Sequence, residues 1–198
     1  EVDMILINGI SVDFSRQVKR GDKISVYPVF ELLDVSGVSK LRPEPLREPR
    51  FILDVHLGKL ARYLRIAGFD ALYSNSYEDS EISAIAFAES RIVLTRDRGI
   101  LKRSAVKRGY WIRSQNPQEQ LKEVIGKFSL KKKLKPLTIC PSCNGKLSPI
   151  EKSRIEHRLP EKTALYYNDF SICTVCEKIY WRGSHFRIIE KILQESIT

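Results

Sequence analysis

The sequence predicts an α/β protein whose parallel sheet is covered by helices, with a small cysteine-bearing module behind it and an antiparallel β segment in front. Three observations predict this. Phe51-Ile52-Leu53 and Ile92-Val93-Leu94-Thr95 are short apolar runs separated by amphipathic segments, the pattern of parallel strands buried on both faces. All four cysteines fall late in the chain, in Cys140-Pro141-Ser142-Cys143 and Cys173-Thr174-Val175-Cys176. Well before both lies Asn8-Gly9 between apolar runs, a strong hairpin turn signal.

The first thirty residues read as strands at Ile5-Leu6-Ile7, Val12-Asp13-Phe14 and Ile24 to Phe30, with a second turn at Gly21-Asp22. This stretch resembles the latter half of a ubiquitin-like β-grasp domain of the sulfur-carrier type. Such carriers end in a Gly-Gly tail, whereas Phe30 here continues into Glu31-Leu32-Leu33-Asp34, so carrier chemistry is excluded. A packing module, or one that recruits a protein partner, is the remaining expectation. The chain begins at Glu1 rather than Met, and a missing upstream half makes it read as a fragment. Pro43, Pro45 and Pro49 among charged residues forbid a helix and suit an extended linker. The expected divisions are a partial β-grasp segment over 1–35 and a linker over 36–49.

An α/β domain is expected over 50–134. Leu57, Leu60, Ala61 and Leu64 recur at helical spacing before Gly68 and the strand Ala71-Leu72-Tyr73. Ile82, Ile85, Ala86 and Ala88 give a second helix, entered through Asp79-Ser80-Glu81. After Ile92 to Thr95 come a basic helix from Ile100 to Lys107, a strand at Tyr110-Trp111-Ile112 and a helix from Pro117 to Phe128. Alternation of this kind implies crossover connections and a parallel sheet.

Open α/β sheets bind ligands beyond the carboxyl ends of their strands, and the acids gather there. Asp54 and Asp97 each lie just past a strand, while Asp79 and Glu81 open the intervening helix. Carboxylates crowded together repel unless cations lie between them, and Mg²⁺ or Mn²⁺ prefers such oxygen ligands. Taken singly, Asp54 and Asp79 also suit helix capping, and Asp97 an ordinary turn before Gly99.

The run Asp54-Val55-His56-Leu57-Gly58-Lys59-Leu60-Ala61-Arg62-Tyr63-Leu64-Arg65, then Leu94-Thr95-Arg96-Asp97-Arg98, then the two CxxC pairs and Tyr180-Trp181-Arg182-Gly183-Ser184-His185, resembles the Mut7-C family. The resemblance covers about residues 49 to 190. It implies a PIN-like ribonuclease domain fused to a zinc ribbon. By resemblance the catalytic acids are Asp54, Asp79 or Glu81, and Asp97, with Asp54, Asp79 and Asp97 holding Mg²⁺ or Mn²⁺. Many PIN nucleases carry a fourth acid shortly after the third. Here Arg98, Gly99, Ile100 and Leu101 follow Asp97, which favours a single-metal site completed by substrate phosphate.

Charge agrees with a polyanionic partner: the chain carries a net +10 over 198 residues. Lys59, Arg62, Arg65, Arg96, Arg98, Lys102, Arg103, Lys107 and Arg108 surround the acids in sequence, placed to hold an RNA backbone without reading its bases. Each could equally coat a solvated helix face. His56 reads as a first-turn packing or backbone contact rather than a metal ligand, because hard cations prefer oxygen. No apolar stretch is long enough to span a membrane and no secretory leader is visible, so a cytoplasmic protein is expected.

A zinc ribbon with a C-terminal helix is expected over 135–198. Cys140, Cys143, Cys173 and Cys176 can supply four thiolates to one structural Zn²⁺, leaving no open position for water. Its loss is expected to unfold residues 137–184 and to spare the α/β domain. Arg154, Arg158, Lys162, Tyr166, Tyr167 and Phe170 mix cations with aromatics, as base-stacking surfaces do, although the same aromatics suit the module's own core. His185 stands beyond the second pair, placed to touch RNA or to cap a final helix from Phe186 to Ser196. Two functions remain in view: a metal-dependent ribonuclease acting on tRNA or structured RNA 3′ ends, and a non-catalytic RNA-binding adaptor.

Overall fold

The computed structural model describes residues 2–13, 15–28, 49–183, 186–187 and 190–191, and the chain divides into two compact units, 1–48 and 49–198. In the first unit β1 (Val2–Ile7) is the centre of a three-stranded antiparallel sheet, flanked by β2 (Ile10–Val12) and β3 (Ile24–Pro28). Asn8 at φ 53° and Gly9 at φ 81° supply the left-handed pair that a tight hairpin turn needs. The Asn8 side chain then ties this turn to the next, donating to the Asp22 carboxylate and accepting from the Lys23 amide. β2 stops at Val12, short of the expected Val12-Asp13-Phe14, because Asp13 turns the chain by accepting the Ser15 amide. Phe14, Phe30 and nearly all of the linker lie outside the described residues. These strands fit part of a β-grasp sheet.

The second unit holds a four-stranded parallel sheet in the order β5-β4-β6-β7, formed by β4 (Phe51–Leu53), β5 (Ala71–Tyr73), β6 (Ile92–Thr95) and β7 (Gly109–Trp111). Three helices cover it: α1 (Gly58–Ile66), α2 (Asp79–Ala88) and α3 (Pro117–Lys127). Side chains alternate along each strand. Phe51, Leu53, Ile92 and Leu94 join Leu60, Leu64, Leu121 and Ile125 in the larger core, whereas Ile52 and Val93 join Ile82, Ala86 and Ile100 on the other face. Both faces are dry, which is why these strands read as unbroken apolar runs.

The expected basic helix from Ile100 to Lys107 is corrected to a 3-10 turn over Ile100–Lys102. Ile100 is fully buried, and Leu101 packs so closely over Gly109 that a Cβ there would lie 2.4 Å from its Cδ2. The chain must return to β7 at once, leaving no room for further helical turns. α3 begins as the sequence implies, with the Asn116 side chain accepting the Gln118 and Glu119 amides and Pro117 in the first turn.

Gly68 ends α1 with φ +95°, and the segment leading to the cysteines packs directly on it. The Lys135 and Leu137 amides donate to the carbonyls of Ala67 and Ile66, satisfying the end of the helix from outside. A Cβ at position 68 would lie 2.1 Å from the Lys135 carbonyl oxygen. Gly68→Ala is therefore expected to lower stability by about 2–4 kcal/mol, combining a left-handed backbone penalty with displacement of this segment, as thermal melting would register.

Beyond it, β8 (Leu147–Ile150), β9 (Phe170–Cys173) and β10 (Ile179–Trp181) form an antiparallel sheet in the order β10-β9-β8. The long insert between the cysteine pairs folds as α4 (Lys152–Ile155), a 3-10 turn and α5 (Glu161–Tyr166). Phe186 is buried in the larger α/β core, so the chain returns to that core after the second sheet. His185 and most of the expected final helix lie outside the described residues.

Candidate functional site

At the carboxyl edge of the parallel sheet, β4 delivers Asp54 and β6 delivers Thr95 and then Asp97. Asp54 is only 5% exposed. Its Oδ1 accepts the His56 amide at 2.8 Å, capping the turn that leads into α1, while Oδ2 accepts the Arg96 amide at 2.9 Å and the Thr95 hydroxyl. Thr95 is fully buried, and its Oγ1 also accepts the Asp97 amide at 2.8 Å. One hydroxyl thus joins the two strand ends. Asp97 is exposed, with Oδ1 accepting the Gly99 amide at 2.7 Å.

The intervening helix contributes less directly. Asp79 is the first residue of α2 and is half-buried, its carbonyl accepting the Ser83 hydroxyl. Glu81 is exposed and engaged in a capping box: its Oε2 accepts the Glu78 amide at 2.9 Å, which makes Glu78, not Asp79, the cap of α2. Among the described residues, the one grouping of three or more acids, histidines or cysteines with ligand atoms within 4.8 Å is formed by the four cysteines. Asp54 and Asp97 are joined through Thr95, but the acids do not close on a single point.

Of the cations expected to contact RNA, Lys59, Arg62, Arg96, Arg98, Lys102 and Arg103 are exposed, as phosphate contacts must be. Arg98 is held in place, its guanidinium stacked 4.0 Å from the ring centroid of Trp111, whose indole N–H donates to the Arg96 carbonyl. In the sequence Thr95 and Trp111 read as ordinary strand residues. Their signal was position, since each is a polar or aromatic residue at the carboxyl end of a strand.

Arg65 does not belong to this surface, and its expected RNA contact is corrected. It is 5% exposed, donating from Nε to the Ala71 carbonyl and from one terminal nitrogen to the Pro141 and Ser142 carbonyls. α1 starts at the carboxyl edge and runs back, so by residue 65 it has descended about 10 Å to the amino edge. There the first cysteine pair docks. Asn144, at φ 68°, accepts the Ala71 amide and donates to Asp70. Asp70 also accepts from Arg91 at 2.7 and 3.0 Å and from Arg50 at 3.1 Å.

Burial alone would raise the Asp70 pKa, but hydrogen bonds from Arg91 and Asn144, with the charge of Arg91, outweigh it and hold the carboxyl below its ordinary value of 3.8. A group depressed by folding adds stability above its unfolded pKa, and that contribution is lost as pH falls through the folded value. The melting temperature is therefore expected to drop on acidification below about pH 3.8. Asp70→Asn should melt lower at neutral pH and show a flatter acid limb.

The four cysteines are all reduced, with Sγ atoms 3.6 Å apart for Cys140 and Cys176 and 3.4 Å for Cys143 and Cys173. Those separations exceed the roughly 2.05 Å of a disulfide and approach the edge of about 3.8 Å that a tetrahedron of zinc–sulfur bonds near 2.3 Å requires. Burial would raise the Cys173 thiol, but the amides of Cys176 and Val175 pointing at its sulfur, with the neighbouring thiols, bring it down to about 6. The Tyr180 hydroxyl lies 3.1 Å from Cys140 Sγ. This donor set is suited to one structural metal such as zinc.

A family model described as Mut7-C RNAse domain matches residues 49–193, and one described as Mut7-C ubiquitin matches residues 1–34. No curated protein and no solved structure matches the chain. Among the described residues no helix is long and apolar enough to cross a membrane.

Proposed function

The chain belongs to the Mut7-C family, and from that premise we infer that it is a metal-dependent ribonuclease whose reaction takes place at the carboxyl edge of the parallel sheet. The observation carrying this reading is the pairing of Asp54 and Asp97 at the ends of adjacent parallel strands, joined by the buried Thr95 hydroxyl. Asp97, with Asp54 and Asp79, would hold a Mg²⁺ or Mn²⁺ ion, and Glu81 would leave its cap only if a further carboxylate were needed. Such an ion supplies a water of lowered pKa and neutralises charge on the phosphate. The chain's own work is positioning. Lys59 and Arg62 on α1 and Arg98 on Trp111 would grip the RNA backbone, and Thr95 keeps the two acids in register.

Zn²⁺ is proposed for the four-cysteine site, tRNA or structured RNA 3′ ends as substrate, a protein partner for the N-terminal segment, and the cytoplasm as location. Incubation of total RNA with the protein, with and without added Mn²⁺, followed by mapping of the ends, tests the central reading. Cleavage confined to the cation-containing sample is expected. The competing reading, a non-catalytic adaptor, draws on the hydrogen bonds that already occupy both oxygens of Asp54. Tight RNA binding without cleavage under any divalent cation would establish it instead.

A further inference from the structure

The antiparallel sheet of the cysteine module carries an open groove of about 530 Å³, within the range of ligand-binding cavities and unused by the chemistry above. Leu137, Ile150 and Trp181 contribute its apolar walls, and Glu151, Asp169 and Arg182 are among its polar lining. Trp181 is fixed rather than loose: Phe170 and Tyr167 pack against it with ring centroids 6.3 Å away, and the chain passes it so closely that a Cβ on Gly183 would lie 2.8 Å from the indole nitrogen. Glu151 and Asp169 are exposed, and their carboxylates are unpaired among the described residues.

We propose that this groove receives one unstacked guanine base of a single-stranded RNA segment. An aromatic wall of fixed orientation suits a base face, as in single-strand-binding modules generally. Two free carboxylates repel phosphate but accept hydrogen bonds, so the group entering must present donors. Guanine offers two adjacent donors on its Watson–Crick edge, N1–H and the N2 amine, matching the two oxygens of one carboxylate. Uracil presents a single donor between two acceptors and fits worst. Arg182, exposed beside the groove with its guanidinium 5.3 Å from the Phe186 ring centroid, would meet a flanking phosphate.

The groove also lies away from the acids. Leu137, which lines it, is bonded to Ile66 at the end of α1, on the amino-edge side, whereas Asp54 and Asp97 stand at the carboxyl edge. Strands of three residues separate the two edges by about 10 Å. If the ribonuclease reading holds, cleavage falls at a fixed offset of more than one nucleotide from the anchored guanosine.

The test uses the 198-residue chain carrying Asp97→Asn, without added divalent cation, so that binding is measured apart from cleavage. The probes are an oligouridine and the same oligomer with one internal guanosine. The guanosine oligomer should bind about tenfold more tightly by fluorescence anisotropy. Because the chain has two tryptophans, adding Trp111→Phe assigns any quenching of indole emission to Trp181, and only the guanosine oligomer should quench it. Asp169→Asn combined with Glu151→Gln, both surface changes, should abolish the preference, and Trp181→Leu should weaken binding of the guanosine oligomer about tenfold with metal content unchanged. Equal affinities for the two oligomers, or a preference that survives the double carboxylate variant, would overturn the proposal. Cut sites in wild-type protein at a constant distance from guanosine would extend it, while failure to cleave would sink only the ribonuclease reading.

Discussion

Asp97→Asn is expected to reduce RNA cleavage by about 10²–10³-fold while leaving the melting temperature within a degree or two of wild type. The carboxylate is exposed and accepts a single amide, from Gly99, so an amide side chain of the same shape can keep that bond through its carbonyl oxygen. What disappears is the charge that would attract a divalent cation, a contribution worth several kcal/mol in metal-assisted hydrolysis. Asp54→Asn should match it in activity but not in stability. Oδ2 of Asp54 accepts both the Arg96 amide and the Thr95 hydroxyl in a buried setting, while Oδ1 accepts the His56 amide. An asparagine must turn its amide nitrogen toward one of these donors, which should cost about 1–3 kcal/mol. Parallel measurements of kcat and thermal melting separate the two variants. Full activity in Asp97→Asn would end the assignment of this edge as the reaction centre.

The second large effect concerns the cysteine site. Elemental analysis should find one zinc per chain, and Cys173→Ser should destabilise the entire second unit rather than residues 137–184 alone. In zinc-finger peptides such binding is worth roughly 10–16 kcal/mol. The α/β sheet would not be spared, because Arg65 gives two of its hydrogen bonds to Pro141 and Ser142, and Asn144 bonds both Asp70 and the first amide of β5. If the loop holding Cys140 and Cys143 dissolves, Arg65 keeps its bond to the Ala71 carbonyl but loses both carbonyl partners of its terminal nitrogen, and β5 loses the side chain that accepts its first amide. Arg65→Met, which leaves all four thiols in place, should by itself cost about 2–4 kcal/mol and lower the melting temperature by about 5–15 °C. Two well-separated melting transitions after metal loss, with the α/β transition unshifted, would contradict this coupling.

The contrast between these residues shows what a sequence can carry. The strands and their terminal aspartates were legible because a strand dry on both faces must be apolar at every position, and Phe51 to Leu53 and Ile92 to Leu94 are. The thiolate site was legible for the same kind of reason, since its spacing is imposed by the metal's own geometry. Arg65 was not. It falls three residues after Arg62 on one helix, and only contact with residues 76 and 77 positions further along distinguishes the buried cation from the exposed one. The segment after Ile100 failed similarly: its composition suits a helix, but the closeness of Leu101 to Gly109, a tertiary fact, ends it after one turn. Trp111 reads as an ordinary strand aromatic until the fold brings Arg98 over its ring.

The hydrogen bonds that hold Asp54 bear on how the protein would meet the two metals proposed for it. Amides and a hydroxyl of the chain itself hold Asp54 at the carboxyl edge, whereas the four cysteine sulfurs face one another and would need a cation to remain together as four thiolates. The zinc proposed for the cysteines would then be a component, installed when the chain folds. The other would behave as a reactant, arriving and leaving with each fluctuation in free divalent cation, so that the proposed cleavage would rise and fall with supply while the amount of folded protein stayed constant.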